Sequence, residues 1–496
     1  MKRLSLSAAL LSAAMLFVAC NGIEKAASDV APASAVRTAD AARSVNVSQG
    51  EAAGIADMFL QTEAGSNRIP TKSSDSQSKR VSTTATVRDD GQDLMYVFNY
   101  EGGGFVIVGS TRNYYPILAY SDKGSFELQD DMGPVDVWLD ETKVCIKNSS
   151  SQSAETKAQM QQLWARYDGT YVDPTQEILA ARRPQTRSVG EDSCWARIEY
   201  LQSLYGSEGW TFNSLSNAEY YFDEWGFGDL YDQLCNSAIQ NHSDPSETVI
   251  GYKYGHEITT QVGPLVGTEW YQEAPFGNLC PNGTAGCGPV AAAQVMFFHQ
   301  YPDTLSWDGI PFTWQDVPAH YVSLFQTLRH PELMRMLGEK FNVIYYTDST
   351  TSSTVYKVVH GLQSLGYTAY SQNYNVTSTH NELFNNHRPI IMRGVNTATN
   401  KGHLWVCEGD KQTLVNQLVF YTENQPYGSG TFYPGMYSYN NPGVEGGVMY
   451  LYFYMNWGWG STNNYHPNGW FLSNNVSVNG NNYQNYRKNI YVSVQN

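Results

Sequence analysis

The chain has 496 residues, a formal charge of −16 and 42% hydrophobic residues, with 35 Tyr and 12 Trp. That length suits two or three folded domains. Its acidity repels phosphate backbones and excludes a nucleic-acid partner. Beyond the first twenty residues no apolar run is long enough to span a bilayer.

The N-terminus reads as an export signal. Lys2 and Arg3 precede an apolar segment, Leu4 to Val18, which ends at Ala19-Cys20. A cysteine directly after a small residue at the cleavage point is similar to the lipobox of bacterial lipoproteins, so Cys20 is a candidate for lipidation. The mature chain is expected outside the cytoplasm: periplasmic, held at the cell surface by lipid, or secreted. Residues 21–47 are rich in Ala and Ser and read as a tether.

A small domain is expected over 48–165. Ser48 and Glu51 have the spacing of a capping box that opens a helix. Residues 64–82 are polar and read as loose. Strands are expected at Leu94–Asn99, Gly104–Gly109 and Pro116–Ser121. Val135–Lys147 fits an amphipathic helix or a strand, and the pattern leaves both open. A connector follows over 166–255. Its segment Arg183-Pro184-Gln185-Thr186-Arg187-Ser188 is basic and turn-rich, the composition of an exposed cleavage site. Its second part, Trp195 to Ala238, is aromatic enough to require packing. The last domain is expected over 256–496, with helices first and strands dominating the final hundred residues.

Six cysteines remain beside Cys20: Cys145, Cys194, Cys235, Cys280, Cys287 and Cys407. They form neither a disulfide scaffold nor a zinc-binding pattern. Cys194 with Cys235 is the pair that sequence alone suggests for a bridge. No metal and no cofactor are expected.

Cys287 follows Gly283-Thr284-Ala285-Gly286 and precedes Gly288-Pro289-Val290-Ala291-Ala292-Ala293. That run puts a sulfur at the first turn of a helix, where unpaired N–H groups and the helix dipole favour a thiolate. A thiol nucleophile needs a base. His299 lies twelve residues into the same helix and is expected to pack. His403, in Gly402-His403-Leu404-Trp405-Val406, stands at the mouth of an apolar strand and is the candidate base. Asn456, at the end of a hydrophobic strand, can accept an imidazole N–H, and Trp457 beside it can shield that bond from water. Gln272 is a candidate second donor to an oxyanion.

These stretches resemble the streptopain family of secreted bacterial cysteine peptidases. The matching motifs run in family order: Val262-Gly263-Pro264-Leu265 through Trp270 and Gln272 to Cys280-Pro281; Ala285-Gly286-Cys287 to His299-Gln300-Tyr301-Pro302; Phe312-Thr313-Trp314; Gly361-Leu362 to Gly366-Tyr367; Pro389-Ile390 to Gly394; Gly402-His403; and Asn456-Trp457-Gly458-Trp459-Gly460. The resemblance covers roughly 256–496. It implies an α+β, papain-like catalytic domain that hydrolyses protein or peptide substrates. Cys287 would be the nucleophile, His403 the base, Gln272 the oxyanion donor, and Asn456 and Trp457 the surroundings of the histidine. Ser352 and Gly402 would contact substrate. The strand motifs between Tyr96 and Ser121 are similar to the family's inhibitory propeptide, which implies a zymogen.

The sequence departs from the family at Gly288-Pro289, where larger apolar residues are usual, at Glu408, where Asp is common, and in the long connector. Two other readings share these residues. One is a surface-binding lipoprotein on a silent peptidase fold, with Tyr and Trp as its contact surface. The other is a transglutaminase or amidase using the same Cys–His logic.

Overall fold

The computed structural model describes residues 44–66, 80–168, 189–206, 210–224, 228–240, 244–321, 328–396, 400–422, 437–439, 449–459, 467–473, 477–478, 481–482 and 487–494. Cys20, the export signal, the tether up to 43 and the candidate cleavage segment Arg183–Ser188 lie outside them.

Helix α1 (Gln49–Ser66) begins as its capping signal requires. The Ser48 N–H donates to Glu51 Oε2 at 2.8 Å, and the Glu51 N–H donates back to Ser48 Oγ at 3.3 Å. Four antiparallel strands follow: β1 (Val81–Asp89), β2 (Gln92–Tyr100), β3 (Phe105–Gly109) and β4 (Ile117–Ser121). β1 was not expected. Its β-branched residues pair with β2, yet most of its side chains are exposed, so it lacks the apolar face that marks a strand in sequence. The ambiguous segment is a helix, α2 (Pro134–Asn148), with Pro134 in its first turn and Val135, Trp138, Leu139 and Ile146 buried. Helix α3 (Ala154–Tyr167) closes this unit, its Trp164 fully buried.

The region expected as a connector is structured where it is described. Helices α4 (Val189–Tyr205), α5 (Leu215–Glu224) and α6 (Gly228–Gln240) surround strand β5 (Thr211–Ser214). The aromatics found there do pack: Trp210 and Phe212 lie in one small core, Tyr221, Phe222, Tyr231 and Tyr252 in another. Cys194 belongs to the first core and Cys235 borders the second, and both are free thiols. β5 pairs with β6 (Val249–Val262), a strand that runs through residue 255.

The rest alternates helices and strands. Helix α7 (Cys287–His299) is followed by the hairpin β7 (Thr304–Trp307) and β8 (Ile310–Thr313), then by helix α8 (His330–Lys340). A second hairpin, β9 (Ile344–Tyr345) and β10 (Thr351–Ser352), leads to helix α9 (Val355–Ser364) and strand β11 (Thr368–Asn373). Strands β12 (Ile390–Asn396), β13 (Lys401–Thr422), β14 (Tyr437–Tyr439), β15 (Met449–Asn456), β16 (Gly469–Leu472), β17 (Ser477–Val478), β18 (Asn481–Asn482) and β19 (Lys488–Ser493) complete the chain. The class is α+β, and every strand pairing among the described residues is antiparallel.

One sheet joins the two ends of the molecule. Its order is β1-β2-β3-β4-β16-β15-β13-β12-β19-β11, with β6 and β14 on β13. The join is at β4 and β16, where Tyr120 faces Trp470 and Ala119 faces Phe471. β13 is long enough to use one edge twice: β12 pairs with its first part and β6 with its second, while β15 holds the other edge. A single core runs beneath this junction, from Phe105 and Trp138 to Trp405, Trp457 and Phe471. A second core lies around α7 and α8.

Candidate active site

Helix α7 starts at Cys287 because Gly286 ends the preceding loop with φ +93°. A side chain there would also meet Thr351 Oγ1 at 2.8 Å, so the loop closes against β10 only with glycine. Pro289 falls in the first turn, where its missing N–H costs nothing. Residues Gly288 to Met296 are all buried, so the helix runs through the core from the partly exposed Phe297, Phe298 and His299 to Cys287, where its start reaches the surface.

The surface it reaches is a cleft of about 1170 Å³ lined by Gln272, Cys287, Ser352, Gly402 and His403, among others. Five of the residues singled out from sequence thus meet in one place. Gln272 is held there through its backbone: the Ala285 N–H donates to the Gln272 carbonyl at 2.7 Å, tying its loop to the one before Cys287. His403 and Gly402 come from the start of β13, opposite Gly394 and Val395 of β12. Ser352 is exposed on β10.

Cys287 keeps some accessible surface, while its sulfur is enclosed. Burial pushes the thiol up; the N–H groups of Leu404, Gly288 and Cys287 itself act the other way. Burial also pushes His403 down, offset by the charge of Asp131 and reinforced by Lys401. Both shifts favour the uncharged forms. Among the described residues no hydrogen bond joins Cys287 to His403, and His403 Nε2 is buried without a partner.

Asn456 and Trp457 lie behind the cleft and are buried. The Asn456 amide donates to the Thr268 carbonyl at 2.7 Å and to Glu408 Oε1 at 2.9 Å. Its Oδ1 accepts from the Gly458 N–H at 3.3 Å, so all its groups are engaged away from His403. Trp457 packs against Trp405 and Phe471, with ring centroids 5.3 and 5.0 Å away, and its Nε1–H donates to Pro467 at 3.1 Å. His299 is half-buried against Phe298 and Tyr367.

Glu408 was noted in the sequence only as a departure, yet it organises this layer. Its carboxylate accepts from the N–H groups of Val266, at 2.6 Å, and Gly267, at 3.1 Å, as well as from Asn456. It sits on β13 next to a register shift between Cys407 and Gly409. Such a bulge turns a side chain out of the usual alternation, which no periodicity reveals.

The N-terminal unit reaches the cleft at its edge. Asp131 lines it and pairs with Lys401 Nζ at 2.9 Å. Gly133, with φ +53°, lies so close that a Cβ would sit 2.6 Å from Trp459 and 3.4 Å from His403. The contact extends along α2. Asp136 accepts from Asn396 at 3.0 Å, Trp138 donates to the Leu472 carbonyl at 3.2 Å, and Glu141 pairs with Arg487 at 2.9 Å. None of these docking residues was singled out in sequence; the one local signal is Gly133-Pro134 at a helix start. Among the described residues no cluster of three or more His, Cys, Asp or Glu gathers as a metal site.

A docked N-terminal unit at a cleft that holds a cysteine and a histidine defines the precursor of a cysteine peptidase. Residues 270–466 match the model of the Peptidase C10 family, and residues 44–146 match that of the Spi protease inhibitor. The segment 270–466 is thus a peptidase domain of the C10, or streptopain, type of cysteine endopeptidase, and the segment 44–146 is a protease-inhibitor propeptide on the same polypeptide. A solved fragment of Prevotella intermedia prointerpain A, in mutant form, aligns at 13% identity over 82% of this chain and 98% of that chain, with a TM-score of 0.39. No curated protein matches.

Proposed function

We propose that this zymogen becomes an endopeptidase acting through a Cys287–His403 thiolate–imidazolium pair once the segment 48–165 leaves the cleft. The observation that carries the reading is the placement of Cys287, at the first turn of α7, in the same cleft as His403. The Leu404 N–H, next in the chain to His403, acts on the Cys287 sulfur. With Asp131 and Gly133 removed, His403 is free to turn toward the sulfur and take its proton. The thiolate attacks a peptide carbonyl, and the Cys287 N–H with the Gln272 side chain holds the oxyanion. His403 returns the proton to the leaving amine, and water then releases the acyl group. Asn456, Glu408 and Trp457 hold the sheet under the histidine. Gly402 and Ser352 flank the bound peptide.

The chain is exported in this reading, its signal ending before Cys20 and a lipid on Cys20 tethering it to a membrane. Its periplasmic, cell-surface or secreted location follows from that N-terminus. Maturation falls between about 180 and 250, with Arg183–Ser188 as the first target, and separates the N-terminal unit from the peptidase of 256–496.

Hydrolysis of a denatured protein by the processed chain tests the catalytic pair. Cys287→Ala and His403→Ala should each abolish it, and full activity in either variant would overturn the reading. N-terminal sequencing of the processed form tests the maturation site, and a start before Ala181 would contradict it. Mass analysis of residue 20 in the exported protein decides the lipid.

A further inference from the structure

The cleft has a basic wall that the peptidase reading leaves unused. Arg393 on β12, Lys401 on β13 and Lys488 on β19 all line it, from three adjacent strands of one sheet. Arg393 stands directly opposite Lys488 in the register, and Lys401 opposite Asn396. In a chain of net charge −16, three cations along one side of a substrate cleft are a local reversal of sign. Glu273 and Asp348, from the peptidase part, also line the cleft, and Asp348 is near enough to Lys401 for their charges to interact.

The precursor already shows what the wall accepts. Asp131, carried by the N-terminal unit, enters the cleft and pairs with Lys401 at 2.9 Å. It is also near enough to His403 for their charges to interact. When the N-terminal unit leaves, Lys401 loses this carboxylate while it stays two residues from His403. We propose that the mature cleft takes an acidic side chain where Asp131 sits, so that the enzyme prefers peptides with Asp or Glu close to the scissile bond. The inference rests on the peptidase reading and specifies its substrate class. Lys401 and Asp131 are 53% and 45% exposed as side chains. Exposure of that degree limits the preference to about two- to fivefold, and salt screens it.

The test uses the full chain activated by limited proteolysis. Quenched fluorescent peptides carry Asp, Asn or Lys in turn at each of the three positions on either side of the cleaved bond. Wild type, Lys401→Gln and Lys401→Glu are compared by the ratio of kcat/KM for Asp over Asn, which cancels any general loss in a variant. At one position wild type should favour Asp about two- to fivefold at low salt. That ratio should fall to about one in Lys401→Gln, and Lys401→Glu should favour Lys. An Asp preference absent at every position, or one that persists in Lys401→Glu, overturns the inference while leaving the peptidase reading intact. Failure of wild type to cleave even the Asn peptides would sink the peptidase reading and this inference together.

Discussion

Glu141 on α2 and Arg487 just before β19 form a buried ion pair, Oε2 to guanidinium at 2.9 Å, between residues 346 positions apart. Both side chains are under 10% exposed, and Arg487 also lies over the Tyr374 ring at 4.1 Å. The pair fastens the inhibitor unit to the peptidase. Removing one partner leaves the other charge buried alone. Glu141→Ala should therefore destabilise the precursor by about 3–5 kcal/mol, read in a denaturant titration of the intact chain. An unchanged midpoint would show that the pair contributes nothing to docking.

Gly133 is the residue of the inhibitor unit that the cleft admits only without a side chain. Its φ of +53° and ψ of −119° suit glycine alone, and a Cβ would meet Trp459 at 2.6 Å. Gly133→Ala should strain this contact by about 1–3 kcal/mol. The precursor should then process faster and show residual activity before cleavage. A variant as silent and as slowly processed as wild type would place the inhibitory contact elsewhere.

Glu408 accepts three hydrogen bonds beneath the cleft, from Val266, Gly267 and Asn456. Glu408→Ala leaves the Val266 N–H and one Asn456 amide hydrogen buried without this acceptor, at about 1–3 kcal/mol each, while the exposed Gly267 N–H can turn to water. The loss should appear as a lower midpoint in both the precursor and the processed enzyme. Glu408→Gln, which keeps one oxygen acceptor, should lose less. Equal behaviour of the two variants would mean that packing rather than hydrogen bonding sets the effect.

The elements of this fold that the sequence announces are those with a local cause. Ser48 and Glu51 cap α1 through each other, and Gly286 with the alanines after Cys287 starts α7. Cys287, His403 and Gln272, each singled out by the short run it stands in, do line one cleft. β1 escaped because its side chains are mostly exposed, and the helices of 189–240 because aromatic content says that a segment packs but not how. The partnership of Glu408 with Asn456 rests on a strand bulge, and the hold of Asp131 and Gly133 on the cleft rests on contacts across some 270 residues of chain. Neither leaves a periodic trace. The Asn456 side chain, read from sequence as a support for the histidine, here serves Glu408 and Thr268 while the inhibitor unit is docked.

The most direct test of the account is the rate at which Cys287 is alkylated by a small haloacetamide, followed against pH in the intact chain and again after processing. Burial pushes this thiol up in the precursor, and His403 is pushed down, so little thiolate exists at neutral pH. Alkylation of the precursor should be slow at pH 7 and should rise only as pH climbs past the ordinary thiol range. After processing, pairing with His403 should move the rise several pH units lower and make Cys287 the dominant labelled residue at pH 7. An intact chain labelled at Cys287 as fast as the processed one, with the same pH profile, would contradict a thiol held silent by its own N-terminal domain.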